Sequence, residues 1–448
     1  MESIHGFDFF RLRFDADGNL QTPDVLAEME QRAEAAGATD AILIAHGFRN
    51  DENDATGLYS EFLGTLRQNL SRAEFQASLG PRKYVVAGIY WPSKAFKEAF
   101  GGDEGSVQGL DDELAQKQAV RAQLEDLKTD ARTPEQAARI DQAIQLLDQV
   151  EESPEAQDAL VDNVLSLLDG VETDPTEGLE EIRSKEGSEL LDALAAPIIL
   201  PTAGGGDGEG GAAGLDTVFV PGGDGETQGL GSFFGSIFGR IGQFLNLTTW
   251  YVMKNRSGVV GANGVAKAVR DLKAKRPGLK IHLVGHSLGG RLMAACAKSL
   301  ANPKLQPDSL TLLEAAFSHY GFSPDNGKGT PGFFRAVMQE KVVRGPLVAT
   351  FSKLDTVVGK VYAVASRLAG DNAKAIGDAN DPFGGIGRNG AQKTPEAAAE
   401  PLHTAGQAYT FAPGKVIGLD GSENLIKDHG DVRNANVTYA FASVMAQT

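Results

Sequence analysis

The chain has 448 residues, with 60 Asp and Glu against 42 Lys and Arg and a formal net charge of −18. Its one cysteine, Cys296, excludes an internal disulfide framework. Residues 101–200 hold 25 acidic and 7 basic side chains, so the rest of the chain sums to zero; this points to a neutral core carrying an acidic insertion, and it disfavours nucleic acid as a partner.

Taken in chain order, Met1–Gly6 lacks the basic start and apolar core of a signal peptide, which predicts a cytoplasmic protein and leaves open export by a route without such a signal. Ala41-Ile-Leu-Ile-Ala45 predicts a buried strand that ends in His46-Gly47-Phe48, where glycine lets the backbone approach a neighbour closely. Arg49 and Asn50 follow on the same loop. Tyr84–Tyr90 predicts a second strand, ending in Trp91-Pro-Ser93, and residues 1–95 form the first part of the core.

Residues 96–202 predict an acidic helical cap. Ile140, Ile144, Leu147 and Val150 recur at helical spacing, as do Leu160, Val164 and Leu167. Thr133-Pro134-Glu135 and Ser153-Pro154-Glu155 each carry an N-cap residue followed by proline in the first turn. A basic protein partner would suit this face, although repelling carboxylates on a solvated helix are the plainer account.

Residues 203–231 are glycine-rich and too poor in apolar side chains to pack, which predicts a linker; Leu215–Val220 within it has the makings of a short strand. Gly204–Gly211 bears a faint likeness to a calcium-binding repeat, in a single copy. Residues 232–448 complete the core. Between Leu230 and Met253 the one charge is Arg240, and Phe234, Ile237, Phe238, Ile241, Phe244 and Leu245 form an apolar helical stripe. Three placements fit it: a core helix, a mobile lid, or membrane contact through 232–253. Arg240, Asn246 and the glycines argue against a transmembrane span.

Lys280–Val284 is an apolar strand leading into Gly285-His286-Ser287-Leu288-Gly289 and then a helical pattern from Arg291 to Cys296. Glycines two before and two after a serine, on a strand-to-helix turn, predict a nucleophile elbow with Ser287 exposed at the helix start. Leu310–Phe317 and Leu347–Ser352 predict two more strands. Asp355 follows the second, and either orients a histidine or caps the helix that begins there. Asp325, in a Pro-Asp-Asn-Gly turn, is its competitor. His429, on a glycine-flanked loop before the amphipathic segment Val432–Met445, is the candidate base; His319 and His403 read as structural or solvated. The backbone N–H groups of Leu288 and Phe48 are the candidate oxyanion donors. His46, Gly47 and His286 flank the same place as candidate substrate-binding residues, and His46 also reads as a hydrogen-bonded positioning group.

Ile44–Phe48, Tyr84–Ser93, Val284–Gly290, Thr350–Asp355 and Asp428–Asp431 together resemble the α/β-hydrolase superfamily in its serine esterase and lipase branch. The Trp-Pro-Ser after a strand is similar to poorly characterised bacterial serine esterases. The resemblance covers residues 7–95 and about 233–448. It implies an α/β fold with a mainly parallel sheet flanked by helices, and hydrolysis of a small-molecule or lipid ester through an acyl-enzyme. It implies no metal and no organic cofactor. Where that family usually has one helix, this chain places almost two hundred residues between Trp91 and Ile281. A catalytically silent binding protein that uses the acidic cap, and a membrane-active lipase effector, are the alternatives.

Overall fold

Apolar runs of five to seven residues, too short for buried helices, form most of one sheet. A computed structural model describes residues 2–93, 113–172, 174–195, 198–199, 212–213, 236–368 and 379–448. The chain divides into two units. The first comprises Met1–Ser93, Arg256–Gly359 and Asp378–Thr448, and the second Lys94–Asn255 and Lys360–Gly377.

The first unit carries a nine-stranded sheet: β1 (Glu2–Ile4), β2 (Phe7–Arg13), β3 (Asp40–Ala45), β4 (Tyr84–Tyr90), β5 (Lys280–His286), β6 (Ser309–Leu313), β7 (Leu347–Phe351), β8 (Ala397–Pro401) and β9 (Val416–Asp420). Their spatial order is β1-β2-β4-β3-β5-β6-β7-β9-β8. β1 runs antiparallel to β2, and the other neighbouring pairs are parallel. All six residues of β3 are buried, as a parallel strand covered on both faces requires. The sequence therefore belongs to the α/β class with a mixed, mostly parallel sheet and flanking helices.

Topology places the crevice. From β3 the chain proceeds to β4 on one side, whereas β5 lies on the other side of β3 and leads away through β6 and β7. The winding reverses between β3 and β5, the position at which open α/β sheets place a crevice beyond the C-terminal ends of their strands. Register brings those ends level, with Ala45 beside Gly285, His286 beside Leu313 and Leu313 beside Thr350.

Flanking helices cover the sheet with their apolar faces. Glu52–Leu70 begins at Asp51, whose side chain accepts from Asn53 and Asp54 N–H while Asp54 returns the bond to the Asp51 N–H. It packs on Ala435–Ala446 through Phe62 and Phe441, with ring centres 5.7 Å apart, and Asn69 Nδ2 donates to Ala435 O and Thr438 Oγ1 at 2.8 and 2.9 Å. Both join the cluster that includes Phe7, Phe9 and Tyr59.

The second unit is mainly helical where it is described, with segments Glu113–Lys128, Pro134–Leu146, Pro154–Leu165, Leu179–Arg183 and Gly187–Leu194, together with a short antiparallel pair, Ile198–Ile199 with Ala212–Ala213. Thr133 and Ser153 cap two of them by accepting from Gln136 and Ala156 N–H, each at 3.1 Å. Ile140, Leu147, Val150, Leu160, Val164 and Leu167 are buried as their spacing predicts, and Ile144 is partly so. The buried Lys254 pairs with Glu177, and its Nζ donates to Tyr362 Oη at 2.8 Å.

The helix Ile237–Val259 belongs to the second unit as far as Asn255, where the sequence reading begins the second part of the core at 232. Phe238, Ile241, Phe244 and Leu245 are buried. Among the described residues no helix is long and apolar enough to cross a membrane. Most of the expected linker, the Gly204–Gly211 string, the strand Leu215–Val220 and Phe234 lie outside the described residues.

Candidate active site

β5 ends in His286, and Ser287 turns the chain into the helix Leu288–Ser299 with φ 57° and ψ −125°; it is buried at 4% exposure where the motif predicts an exposed serine. A serine in that region is strained, and such strain persists only where the surroundings enforce it. Here they do. Ser287 N–H donates to Leu313 O at 3.0 Å and Ser287 O accepts from Ala316 N–H at 3.0 Å, which ties the turn to the loop after β6. A methyl group on Gly289 would lie 2.3 Å from Ala45 O and 2.5 Å from His46 O, so the helix can leave the elbow only with glycine at that position.

The loop after β3 meets the elbow directly. A methyl on Gly47 would lie 2.7 Å from Ser287 Cβ. His46 is buried and stacks on Trp91, with ring centres 5.6 Å apart and planes 15° from parallel. Burial pushes its imidazole down to about 4, so the ring is neutral near pH 7. Its Nδ1–H donates to Gly47 O at 3.0 Å, and Trp91 N–H approaches its Nε2 at 3.5 Å. Across a planar trans peptide the Phe48 N–H points opposite to Gly47 O, so His46 fixes the direction of that donor. Leu288, first in its helix, presents an N–H with no acceptor of its own in the helix ladder.

Two residues that the sequence reading left without a role brace this loop. Trp91 Nε1–H donates to His46 O at 3.1 Å. Ser93 Oγ donates to Asn50 O at 2.9 Å, while Ser93 O accepts from Arg49 N–H at 3.1 Å. The signal was the aromatic and hydroxyl pair directly after a strand that neighbours β3.

Two strands along the sheet from β5, Asp355 stands on the loop after β7. It is fully buried, and its two oxygens serve two purposes: Oδ1 accepts from Val358 N–H at 2.9 Å, and Oδ2 accepts from His429 Nδ1–H at 2.8 Å. Capping and orienting are thus one residue's work. Burial alone would raise the Asp355 carboxyl, but the His429 charge and hydrogen bond, with help from Val358 N–H and Glu314, hold it below the ordinary carboxylate value. Arg388 Nη1–H donates to Asp355 O at 3.0 Å, and Ser352 Oγ ties the loop to Ile426 O at 2.9 Å.

His286 completes the frame. Its Nε2–H donates to the His429 carbonyl at 2.7 Å, and the two rings lie 4.7 Å apart. Burial first, then the nearby His429, push the His286 imidazole down to about 3. The residue before the serine therefore holds the histidine loop beside it. Among the described residues no hydrogen bond joins Ser287 Oγ to His429.

Asp325 serves its own turn, accepting from Gly327 and Gly329 N–H at 2.8 and 3.2 Å. His319 is buried beside Asn389 Nδ2 at 3.2 Å, and His403 stacks on Tyr409 at 4.6 Å. Another chain of the same residue types crosses the opposite end of the sheet. His282 lies between Ser309 Oγ at 2.8 Å and Asp40 Oδ1 at 2.9 Å, and all three are wholly inaccessible, so no substrate reaches them. Glu314, which no sequence signal singled out beyond being a lone charge in an apolar run, lies against Asp355 and His429.

Compared with family models, curated proteins and solved structures, the chain matches none.

Proposed function

We propose that this protein is a serine hydrolase of the α/β-hydrolase type that cleaves a carboxylic ester through an acyl-enzyme. The observation that carries the reading is the strained Ser287 turn at the point where the sheet's winding reverses, with the hydrogen-bonded His429–Asp355 pair on the neighbouring loops.

In this reading Ser287 Oγ adds to the ester carbonyl while its proton passes to His429 Nε2. Asp355 keeps the imidazole in the tautomer with Nδ1 protonated. The Phe48 and Leu288 N–H groups receive the charge that develops on the carbonyl oxygen. The carbon–oxygen bond to the leaving alcohol then breaks, and the alcohol takes the proton from His429. Water repeats the attack on the acyl-enzyme, gives its proton to His429, and the acid departs as that proton returns to Ser287. The serine–histidine contact is one that catalytic pairs often make only with substrate in place.

The test is intact mass after treatment with a fluorophosphonate. A single adduct on the unsubstituted protein and none on Ser287→Ala supports the reading and justifies a screen of ester chain length, in which long emulsified esters would favour a lipase. No adduct, with or without detergent, overturns it in favour of a silent binding protein.

A further inference from the structure

Glu314 is the first residue after β6 and adopts φ 44°, a left-handed conformation unusual for a glutamate. Thr350 Oγ1 accepts from its N–H at 3.2 Å. The segment around Gly387 lies directly over it: a methyl there would be 2.5 Å from the Glu314 carbonyl carbon, and Gly387 N–H donates to Ala315 O at 3.0 Å. Glu314 is completely inaccessible, and among the described residues no N–H or hydroxyl reaches either of its carboxyl oxygens.

An ionised carboxylate would not survive such a site, because each oxygen would lose water and gain nothing. What does lie beside it is the Asp355 carboxylate, in a cluster where ligand atoms of Glu314, Asp355 and His429 all fall within 4.8 Å of one another. Two carboxylates this close, out of water, cannot both be charged, so the pair holds a proton. Both Asp355 oxygens already accept, from Val358 N–H and His429 Nδ1–H. The proton therefore belongs to Glu314. A cation at the centre of the cluster is a poorer account, since the 2.8 Å contact between His429 Nδ1 and Asp355 Oδ2 is itself a hydrogen bond.

We propose that Glu314 is a positioning residue of the site: a buried carboxylic acid whose O–H donates to Asp355 and holds that carboxylate toward His429. The role rests on the hydrolase reading above for its consequence but not for its geometry. Burial raises the Glu314 carboxyl well above its ordinary value, and the negative charges of Asp355, Asp428 and Asp431 that face it push in the same direction. A neutral donor steadies Asp355 without adding a second negative charge beside the imidazole. The base is thus oriented by one full charge.

Three proteins test this: wild type, Glu314→Gln, which keeps a donor, and Glu314→Leu, which keeps bulk without one. The rate of fluorophosphonate labelling is followed against pH, and the low-field proton resonance of His429 Nδ1–H is recorded for each. The expected result is that Glu314→Gln labels within about fivefold of wild type with the same acid limb, whereas Glu314→Leu slows by about 10–100-fold. The low-field resonance should be kept in Glu314→Gln and shifted or lost in Glu314→Leu. An acid limb displaced to lower pH in Glu314→Gln would mean that a negative charge had been removed, and would overturn the neutral donor. So would Glu314→Leu behaving as wild type. If wild type itself takes no label, the hydrolase reading fails, and the resonance alone decides for Glu314: unchanged in all three proteins, it overturns the role.

Discussion

Asp355 shows how little of a residue's task depends on its charge alone. Its Oδ1 caps a helix and its Oδ2 fixes a tautomer. Asparagine in its place can keep the cap through Oδ1 but offers His429 an amide, which selects the wrong tautomer. We expect Asp355→Asn to retain its melting temperature within a few degrees and to lose about 10⁴ in labelling rate, the scale seen when a triad acid is made neutral. Gly289→Ala should behave otherwise. Backbone oxygens of Ala45 and His46 occupy the space a methyl needs, and neither can swing aside as a side chain could. The expected outcome is a loss of about 1–3 kcal/mol in denaturant stability together with lost labelling. Ser287, Asp355 and His429 could be named as candidates from sequence because each stands in a local pattern of strand, loop and glycine. Glu314 could not, because its meaning comes from a partner on another loop. His286 reads as a pocket residue in the motif, yet its ring props the histidine loop, a duty set by tertiary contact alone.

At the scale of elements, the strands and the capped helices followed from apolar run length and from Thr-Pro and Ser-Pro starts, which are local physics. The boundary of the insertion did not. The helix Ile237–Val259 reads as apolar and continuous, and nothing local marks Asn255 as the place where it passes from one unit to the other. Two variants separate the units experimentally. Thr133→Ala removes the cap bond to Gln136 N–H in the second unit and should cost about 1 kcal/mol of stability while leaving the labelling rate of Ser287 unchanged. Trp91→Phe keeps the stacked ring against His46 but removes the donor to His46 O. We expect it to slow labelling by about tenfold, because the hydrogen bond that holds the His46–Gly47 peptide, next to the one that carries the Phe48 N–H, is lost at a net cost near 1 kcal/mol. Equal effects of the two variants on labelling would refute this division of labour.

For the molecule as a whole, buried imidazoles add a destabilising response to mild acid. His46, His286 and His319 are held at about 4, 3 and 3 by burial first of all, so the folded protein keeps them neutral. The unfolded chain takes up protons on the same residues below about pH 6.5. Their folded values are depressed, so the stability they contribute is complete above pH 6.5 and is lost as pH falls from there toward 4 and 3. Each contributes a slope of about 1.4 kcal/mol per pH unit in that window. Urea midpoints measured from pH 7 down to pH 4 should therefore fall steeply, and His319→Gln should fall less steeply. A midpoint that does not move over this range would show that these rings admit protons while folded.

The order of strands in space also sets a timetable for biosynthesis. β3 lies between β4, which follows it closely in the chain, and β5, which begins at Lys280, about 190 residues after β4 ends at Tyr90. A ribosome adding 5–20 residues per second needs roughly 10–40 s to cover that interval. Throughout it, the edge of Ala41-Ile-Leu-Ile-Ala45 that will pair with β5 has no partner, and an apolar unpaired edge is a template for other chains. The nascent protein must therefore shield the middle of its future sheet while the whole insertion is being made, and we expect a higher yield of folded protein when expression is slow and cool or a chaperone is co-expressed.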